Sequence, residues 1–298
     1  MSHAMPPSVA RRGLARVATT PAPSPGFIGA GHTAVLVVDP ARFEEHDPFI
    51  VLADDRIAVP EGSPAGGEHP HAGFETVTFV LEGTLRDRDE GVLETGDLQW
   101  MTAGRGVIHN EDVIPSGATR ILQLWLTLPE AERWVAPRFE TVRRAAAPVR
   151  REPGVEVRVY SGRSGAARAR THNYVPVTIL DVRLEPGAAF EQELPASYRG
   201  FVYVLDGEAG AGDDAAPLRA GQVGWVEPTS DASDASVLRL AGGAVGARLV
   251  LYAGEPQRAP IALHGPFVGG TRADLVRAST AYRNGEFARM SELVRAAR

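Results

Sequence analysis

The chain has 298 residues, of which 44% are hydrophobic and 23% are charged, so it can form one large or two medium globular domains with a sizeable core. Its net charge of −6, with arginine as the only basic residue type, argues against a general nucleic-acid binder, whose surface would be basic. The absence of cysteine excludes disulfides, thiolate metal sites and cysteine nucleophiles.

The first 29 residues are predicted to be a flexible N-terminus that leads into the first strand. They lack the apolar core of about 7–15 residues that defines a signal peptide. No apolar run in the chain reaches the roughly 20 residues that a membrane helix needs. We therefore expect a cytoplasmic protein that does not contact a membrane.

Strand signals dominate the next hundred residues. Short segments rich in β-branched, aliphatic and aromatic residues, bounded by Gly, Pro or Asp, occur at 34–38, 49–53, 76–81 and 121–126. Thirty-two glycines and 23 prolines separate such segments at short intervals. This pattern is typical of a β-barrel or sandwich, and we predict a first domain over residues 30–150.

Two pairs of metal-ligating residue types lie within this domain. His69 and His71 follow a glycine-rich stretch, and His109 and Glu111 follow another. Side chains at i and i+2 of a strand point to the same face, so each pair can present both its side chains to one ion. Three imidazoles and one carboxylate suit iron(II), manganese, nickel, copper or zinc, and do not suit calcium or magnesium.

Glu75 is the alternative fourth ligand. It shares the face of His71 only if the strand is regular through Gly73, and a glycine within a strand often marks a bulge. Glu111 is therefore preferred, and Glu75 is expected to be a structural carboxylate or one that orients an imidazole N–H. The remaining histidines are interpreted as ordinary surface or core residues; these are His3, His32, His46, His172 and His264.

The second half of the chain repeats part of the first. The segment 79–83 is followed by Gly96, and the similar segment 203–207 is followed by Gly221, at an offset of 124 to 125 residues. A second domain is therefore predicted over residues 151–270. The four positions that align with the proposed ligands are Glu193, Pro195, Asp234 and Ser236. Because they lack the histidines, this domain is predicted to be metal-free.

The ends of the two domains show helical signals. Residues 128–149 are interpreted as a linker with a short helical turn after Pro129. Residues 271–298 change to a helical period, with Thr271 as a candidate cap, Asp274 three residues later and a break near Gly285. Two short C-terminal helices are expected.

The two histidine motifs also carry a family resemblance. The segments HPHAGFETVTFVLEG and GDLQWMTAGRGVIHNE resemble the pirin family of the cupin superfamily. The resemblance implies an all-β fold of two cupin barrels, also called jelly rolls or double-stranded β-helices, with short C-terminal helices. It also implies one metal per chain, typically iron, held by His69, His71, His109 and Glu111, the set already reached from spacing.

The resemblance suggests two functions of different classes. Some pirins oxidise the flavonol quercetin with dioxygen, open its ring and release carbon monoxide; in that reaction Glu111 would be the catalytic base and the substrate a small aromatic molecule. Other pirins are iron-dependent regulators that sense redox state and act through protein partners. A structural metal is the third possibility. Iron(II) is the expected ion, with nickel, manganese, cobalt, copper or zinc as alternatives.

Overall fold

The computed structural model describes residues 9–58, 67–87, 91–110, 118–213, 217–229 and 235–296. These residues form mostly β-strands, with three short α-helices, α1 (Phe43–His46), α2 (Arg272–Arg283) and α3 (Met290–Ala296). The all-β prediction with short C-terminal helices is confirmed.

The strands of the described residues are numbered in chain order. The first thirteen are β1 (Ala10–Arg12), β2 (Leu14–Thr19), β3 (Ser24–Pro25), β4 (His32–Val38), β5 (Phe49–Ile57), β6 (Glu68–His71), β7 (Phe74–Glu82), β8 (Thr84–Asp87), β9 (Gly91–Glu94), β10 (Leu98–Thr102), β11 (Val107–Asn110), β12 (Thr119–Thr127) and β13 (Arg138–Val142). They are followed by β14 (Val149–Glu152), β15 (Val155–Ser161), β16 (Arg163–Ser164), β17 (Ala167–Arg168), β18 (Val177–Leu184), β19 (Ala189–Pro195), β20 (Arg199–Ala211), β21 (Leu218–Arg219), β22 (Gln222–Val226), β23 (Ala235–Gly254), β24 (Ala262–His264), β25 (Phe267–Gly269) and β26 (Ala288–Arg289).

The chain divides into two compact units. The N-terminal unit contains residues 21–146 and 257–298, and the C-terminal unit contains residues 1–20 and 147–256, each over its described part. These boundaries differ from those predicted from the sequence because each end of the chain belongs to the unit formed mainly by the other half. In their described parts, residues 1–20 belong to the C-terminal unit, and residues 257–298 belong to the N-terminal unit. Strands β1 and β2, within the predicted flexible N-terminus, pair with β23 and β22, so residues 10–19 are ordered strands of a sheet.

In the N-terminal unit, a seven-stranded sheet has the order β13-β10-β7-β12-β5-β4-β3, and a smaller sheet has the order β26-β11-β6. The register of the larger sheet places Thr76 opposite Trp125, Ile121 opposite Asp55, and Ile57 opposite His32. Directly paired residues, and residues two apart on one strand, share a face of a sheet. These side chains therefore lie on the same face.

The C-terminal unit is built on a ten-stranded sheet around the 20-residue strand β23. Its core is aliphatic, with fully buried residues such as Val157, Leu180 and Leu249. The repeated motif forms the same local pairing in both units: Phe79 on β7 pairs with Leu98, two residues after Gly96, and Tyr203 on β20 pairs with Val223, two residues after Gly221.

The C-terminal segment returns to the N-terminal unit, where β26 pairs with β11. The Thr271 hydroxyl accepts a hydrogen bond from the Asp274 N–H at 3.2 Å, and the Asp274 carboxylate accepts one from the Thr271 N–H at 2.8 Å, so the predicted cap is a complete capping box. Gly285, at φ +73°, lies between α2 and α3. None of the described helices is both long enough and apolar enough to cross a membrane.

Candidate metal centre

The three motif histidines lie on two paired strands of the smaller sheet. His69 and His71 are on β6, and antiparallel pairing places His109 of β11 directly opposite His69. The Nε2 atoms of His69 and His109 are 2.9 Å apart, and the His71 ring lies 4.8 Å from the His69 ring and 5.1 Å from the His109 ring, centre to centre. One ligand atom from each residue lies within 4.8 Å of the others, so the structure brings all three together.

Two glycines flank the strands that carry the histidines, Gly73 after β6 and Gly106 before β11. Gly73, at φ +86°, follows the His71 strand, and a Cβ atom there would lie 1.8 Å from the carbonyl oxygen of Val268. Gly106, at φ +131°, precedes the His109 strand, and a Cβ atom there would lie 2.3 Å from the Phe287 ring. At both positions φ is positive and a Cβ atom would collide with a neighbouring residue, so only glycine fits.

The surroundings favour neutral imidazoles. Burial, with smaller contributions from the neighbouring His109 and His69, holds the pKa of His71 well below its usual range. Burial, with repulsion from His69, lowers the pKa of His109 to about 3. An imidazole binds a metal only when its ligating nitrogen is unprotonated, so the cluster presents its ligands in the form that binding requires.

One hydrogen bond orients His69. Its Nδ1 lies 3.1 Å from the carbonyl oxygen of Gly67, which can only accept a hydrogen bond. His69 therefore carries a proton on Nδ1, and in the neutral ring this leaves the lone pair on Nε2, the atom that faces His109. Fixing the tautomer of a histidine through its second nitrogen is characteristic of metal ligands.

The geometry fits a transition metal. Two imidazole nitrogens at right angles around an ion, with bonds of about 2.1 Å, lie about 3 Å apart. The Nε2 atoms of His69 and His109 have nearly this separation. Three neutral imidazoles are a donor set for first-row transition metals, and they do not match the oxygen ligands that calcium and magnesium require.

The structure describes only one of the two candidate carboxylate ligands, Glu75. Glu111 lies outside the described residues. Glu75 is buried and accepts a hydrogen bond from the Thr102 hydroxyl at 2.6 Å. Thr76, the next residue, lines the cavity beside the histidines, so Glu75 faces the other side of β7. Gly73 interrupts the strand, and Glu75 therefore does not share the face of His71 or orient its imidazole.

The histidines form part of the wall of a cavity of about 280 Å³ within the N-terminal unit. Its other walls are mostly apolar, with the Trp125 ring 5.7 Å from the His71 ring and the Phe27 ring 6.0 Å from the His69 ring. The remaining lining residues are Ile28, His32, Asp55, Ile57, Thr76, Leu85, Ile121, Gln123 and Pro266. A concave, largely apolar site with a few convergent polar groups is the usual form of a small-molecule site.

Sequence reasoning missed one pair in this cavity. His32, interpreted as an ordinary histidine, is buried, and its Nε2 lies 2.7 Å from the Asp55 carboxylate. No local signal identifies this pair, because its members are 23 residues apart and meet only through the pairing of β4 with β5. Phe27 and Trp125 were missed for the same reason.

The aligned positions of the C-terminal unit have other partners. Glu193 forms an exposed ion pair with Arg163 at 3.1 Å, and Ser236 donates a hydrogen bond to the carbonyl oxygen of Leu194. Asp234 lies outside the described residues. Within the part of the chain that the structure describes, the three-histidine cluster is the one group of three or more potential ligand residues.

Comparison with known proteins agrees with this arrangement. The Pirin profile matches residues 36–126, and the profile of the Pirin C-terminal cupin domain matches residues 179–288. Pirin-like protein 2 of Arabidopsis thaliana is 36% identical over 241 residues, covering 77% of this chain and 72% of that protein.

Two solved structures are similar over most of their length. The protein GK1651 from Geobacillus kaustophilus has a TM-score of 0.77 and 37% identity, covering 85% of this chain and 100% of that chain. A quercetin 2,3-dioxygenase from Acinetobacter baumannii has a TM-score of 0.81 and 27% identity, covering 93% of this chain and 99% of that chain. The profile matches, the sequence identity and the two cupin folds together show that the chain belongs to the pirin family of the cupin superfamily.

Proposed function

We propose that this protein is a metal-dependent dioxygenase that opens the ring of a flavonol such as quercetin. The observation that carries the proposal is the position of three clustered imidazoles in the wall of a mostly apolar cavity that contains two aromatic rings. The similarity to a quercetin 2,3-dioxygenase structure at 27% identity supports the same substrate class.

In this proposal, one transition metal per chain, iron(II) before nickel, manganese, cobalt, copper or zinc, is held by His69, His71 and His109, with Glu111 as the fourth ligand. A redox-active ion bound there would supply the electron transfer that lets dioxygen react with an organic substrate. Three imidazoles and one carboxylate leave up to two positions of a six-coordinate ion open, and open positions distinguish reactive from structural sites.

The protein's own side chains position and deprotonate the substrate. The rings of Phe27 and Trp125 can contact the faces and edges of a flat ligand, and the aliphatic walls exclude water from it. We assign to Glu111 the role of general base that accepts the proton of the substrate hydroxyl, a role that a carboxylate near its hydroxyl can fill.

The test begins with metal analysis of protein purified without added metal. Oxygen uptake and carbon monoxide release are then measured with quercetin and with a panel of flavonols and catechols. We expect one ion per chain and dioxygen consumption that depends on both the metal and a flavonol. If metal-loaded protein consumes no dioxygen with any member of the panel, the dioxygenase proposal is wrong. A protein partner whose affinity changes with the oxidation state of the metal would then support the regulatory function.

A further inference from the structure

A second polar group lies in the cavity that contains the three histidines. His32 on β4 and Asp55 on β5 both line it, and only 1% of the His32 side chain and 8% of the Asp55 side chain are exposed. The register places His32 opposite Ile57, two residues from Asp55, so both side chains lie on the cavity face of the large sheet. The neighbouring Asp54 faces the opposite side, where it pairs with Arg120.

The hydrogen bonds determine the tautomer of His32. The backbone N–H of Ile28 donates to Nδ1 at 3.2 Å, so Nδ1 carries a lone pair. The proton is therefore on Nε2, which donates to the Asp55 carboxylate at 2.7 Å. The pair consists of a neutral imidazole and a carboxylate that is oriented by it.

The loop before β4 is shaped around this imidazole. A Cβ atom at Gly26 would lie 2.2 Å from the Nδ1 atom of His32, so glycine leaves the space that the ring occupies. The Gly26 N–H donates to the His32 carbonyl at 2.9 Å, and the His32 N–H donates to the Gly29 carbonyl at 3.0 Å. The ring is thus held by the backbone on one side and by Asp55 on the other.

The pair is close to the metal cluster across one aromatic ring. Phe27 lies 5.4 Å from the His32 ring and 6.0 Å from the His69 ring, centre to centre. Apart from His32, no described residue makes a side-chain hydrogen bond to the Asp55 carboxylate. Between the pair and the cluster, the walls are mainly apolar, so a carboxylate is the strongest hydrogen-bond acceptor that a ligand meets there.

We propose that Asp55, positioned by His32, is a specificity-determining residue that accepts a hydrogen bond from a ring hydroxyl of the substrate. The hydroxyl it selects is distinct from the one that approaches the three histidines. The inference deepens the proposed function and rests on it in taking the ligand to be a hydroxylated flat aromatic molecule. It assigns a polyhydroxylated flavonol, rather than a flavonol with a single hydroxyl, as the preferred substrate.

The experiment compares two ligands that share the same metal-directed group. Quercetin and 3-hydroxyflavone both carry the 3-hydroxy-4-keto unit, and only quercetin has further ring hydroxyls. Binding of each to metal-loaded protein is measured by calorimetry without dioxygen, so that turnover does not enter the result. The variants are Asp55→Asn, Asp55→Ala, His32→Ala and His32→Gln, and the control is Asp206→Asn, which makes the same charge change at an exposed position of the C-terminal unit.

We expect the native protein and Asp206→Asn to bind quercetin at least about tenfold more tightly than 3-hydroxyflavone. This is the gain in affinity that one hydrogen bond to a charged group typically provides. Asp55→Ala should lose this preference, and Asp55→Asn should keep only a small part of it, because its neutral amide oxygen accepts a weaker hydrogen bond than the carboxylate does. Both variants should bind 3-hydroxyflavone with native affinity, which also shows that the cavity is intact. His32→Ala should lose most of the preference, and His32→Gln should restore part of it because its amide N–H can still donate to Asp55.

Two results would overturn the inference. One is an unchanged preference for quercetin in both Asp55 variants, and the other is an equal loss of affinity for the two ligands. Failure of the proposed dioxygenase function alone would give a different result. The preference for quercetin would still be lost when Asp55 is replaced, but the metal-loaded protein would consume no dioxygen.

Discussion

His109 lies directly opposite His69 on antiparallel strands, and their Nε2 atoms are 2.9 Å apart. Two protonated imidazoles would not remain at this distance, because the like charges would repel each other and His109 is buried from the water that would solvate its charge. The arrangement is stable when both rings are neutral, and a bound cation would stabilise it further.

Replacing His109 tests the cluster directly. Loss of a group that only orients a metal ligand typically lowers metal affinity by about 10–100-fold, so His109→Ala should lower it by at least that factor. Metal content after dialysis, measured by mass spectrometry, should fall well below one ion per chain. His172→Ala, in the C-terminal unit, is the matched control and should retain its metal. Full metal content in His109→Ala would show that the cluster is not the metal site.

The stoichiometry of binding tests the C-terminal unit. Glu193 is engaged with Arg163 and Ser236 with a backbone carbonyl, so their positions offer no ligand set. Titration with iron(II) or nickel(II) should therefore saturate near one ion per chain. A second tightly held ion that survives His109→Ala would contradict the prediction that this unit is metal-free.

Glu75 predicts a pH-dependent stability. Burial raises its pKa from 4.5 to about 7, against the opposing effects of Thr102, Trp100 and the charge of Arg138. Between those two pH values the folded state holds a proton on Glu75 that the unfolded state has released, so the contribution of Glu75 to the free energy of unfolding should fall as pH rises from about 4.5 to 7 and then level off. The lowered pKa values of His71 and His109 contribute the opposite slope at acidic pH, so the Glu75 contribution is measured as the difference between the native protein and a Glu75 variant. At about 1.4 kcal/mol per pKa unit, the shift from 4.5 to about 7 corresponds to an effect of roughly 3 kcal/mol.

Glu75→Gln should remove this dependence and should stabilise the protein at pH 8, because the amide keeps the contact with Thr102 without a buried charge. Urea unfolding of metal-free protein at pH 5 and pH 8 measures both effects. Glu82→Gln, at the exposed end of the same strand, is the control and should follow the native curve. Equal pH dependence in native protein and Glu75→Gln would refute the prediction.

The capping box of α2 is expected to contribute modestly to the stability of the protein. Thr271→Ala removes the hydroxyl that accepts from the Asp274 N–H, and loss of such a cap typically costs about 1 kcal/mol. Thr271→Ser keeps the acceptor and should be nearly neutral. Thermal unfolding of the three proteins should place the serine variant close to the native transition and the alanine variant below it. The same transition temperature in the alanine variant would show that the cap does not contribute.

Glu111 remains a prediction from the sequence, as both ligand and base. General-base assistance is typically worth about 10²–10⁴-fold, so Glu111→Gln should lower turnover on flavonol by that order when expressed per bound metal. Normalising to bound metal separates lost chemistry from weaker metal binding. Equal turnover per metal in the native protein and the variant would exclude Glu111 as the base.

The sequence by itself determined the features that depend on neighbours along the chain. The spacing of His69 and His71 on one strand, the strand segments and the break between the C-terminal helices follow from local periodicity and from turn residues, which need no distant partner to be recognised. The duplicated motif also appears in the sequence because each copy forms the same pairing in its own unit.

Only the tertiary structure decided the features that depend on remote contacts. The conformation of Gly73, enforced by the approach of Val268 from the C-terminal segment, turns Glu75 away from the histidines. Strand pairing joins His32 to Asp55 and recruits residues 10–19 into the sheet of the C-terminal unit. Local periodicity cannot reveal such contacts, because their free energy comes from packing between segments far apart in the chain.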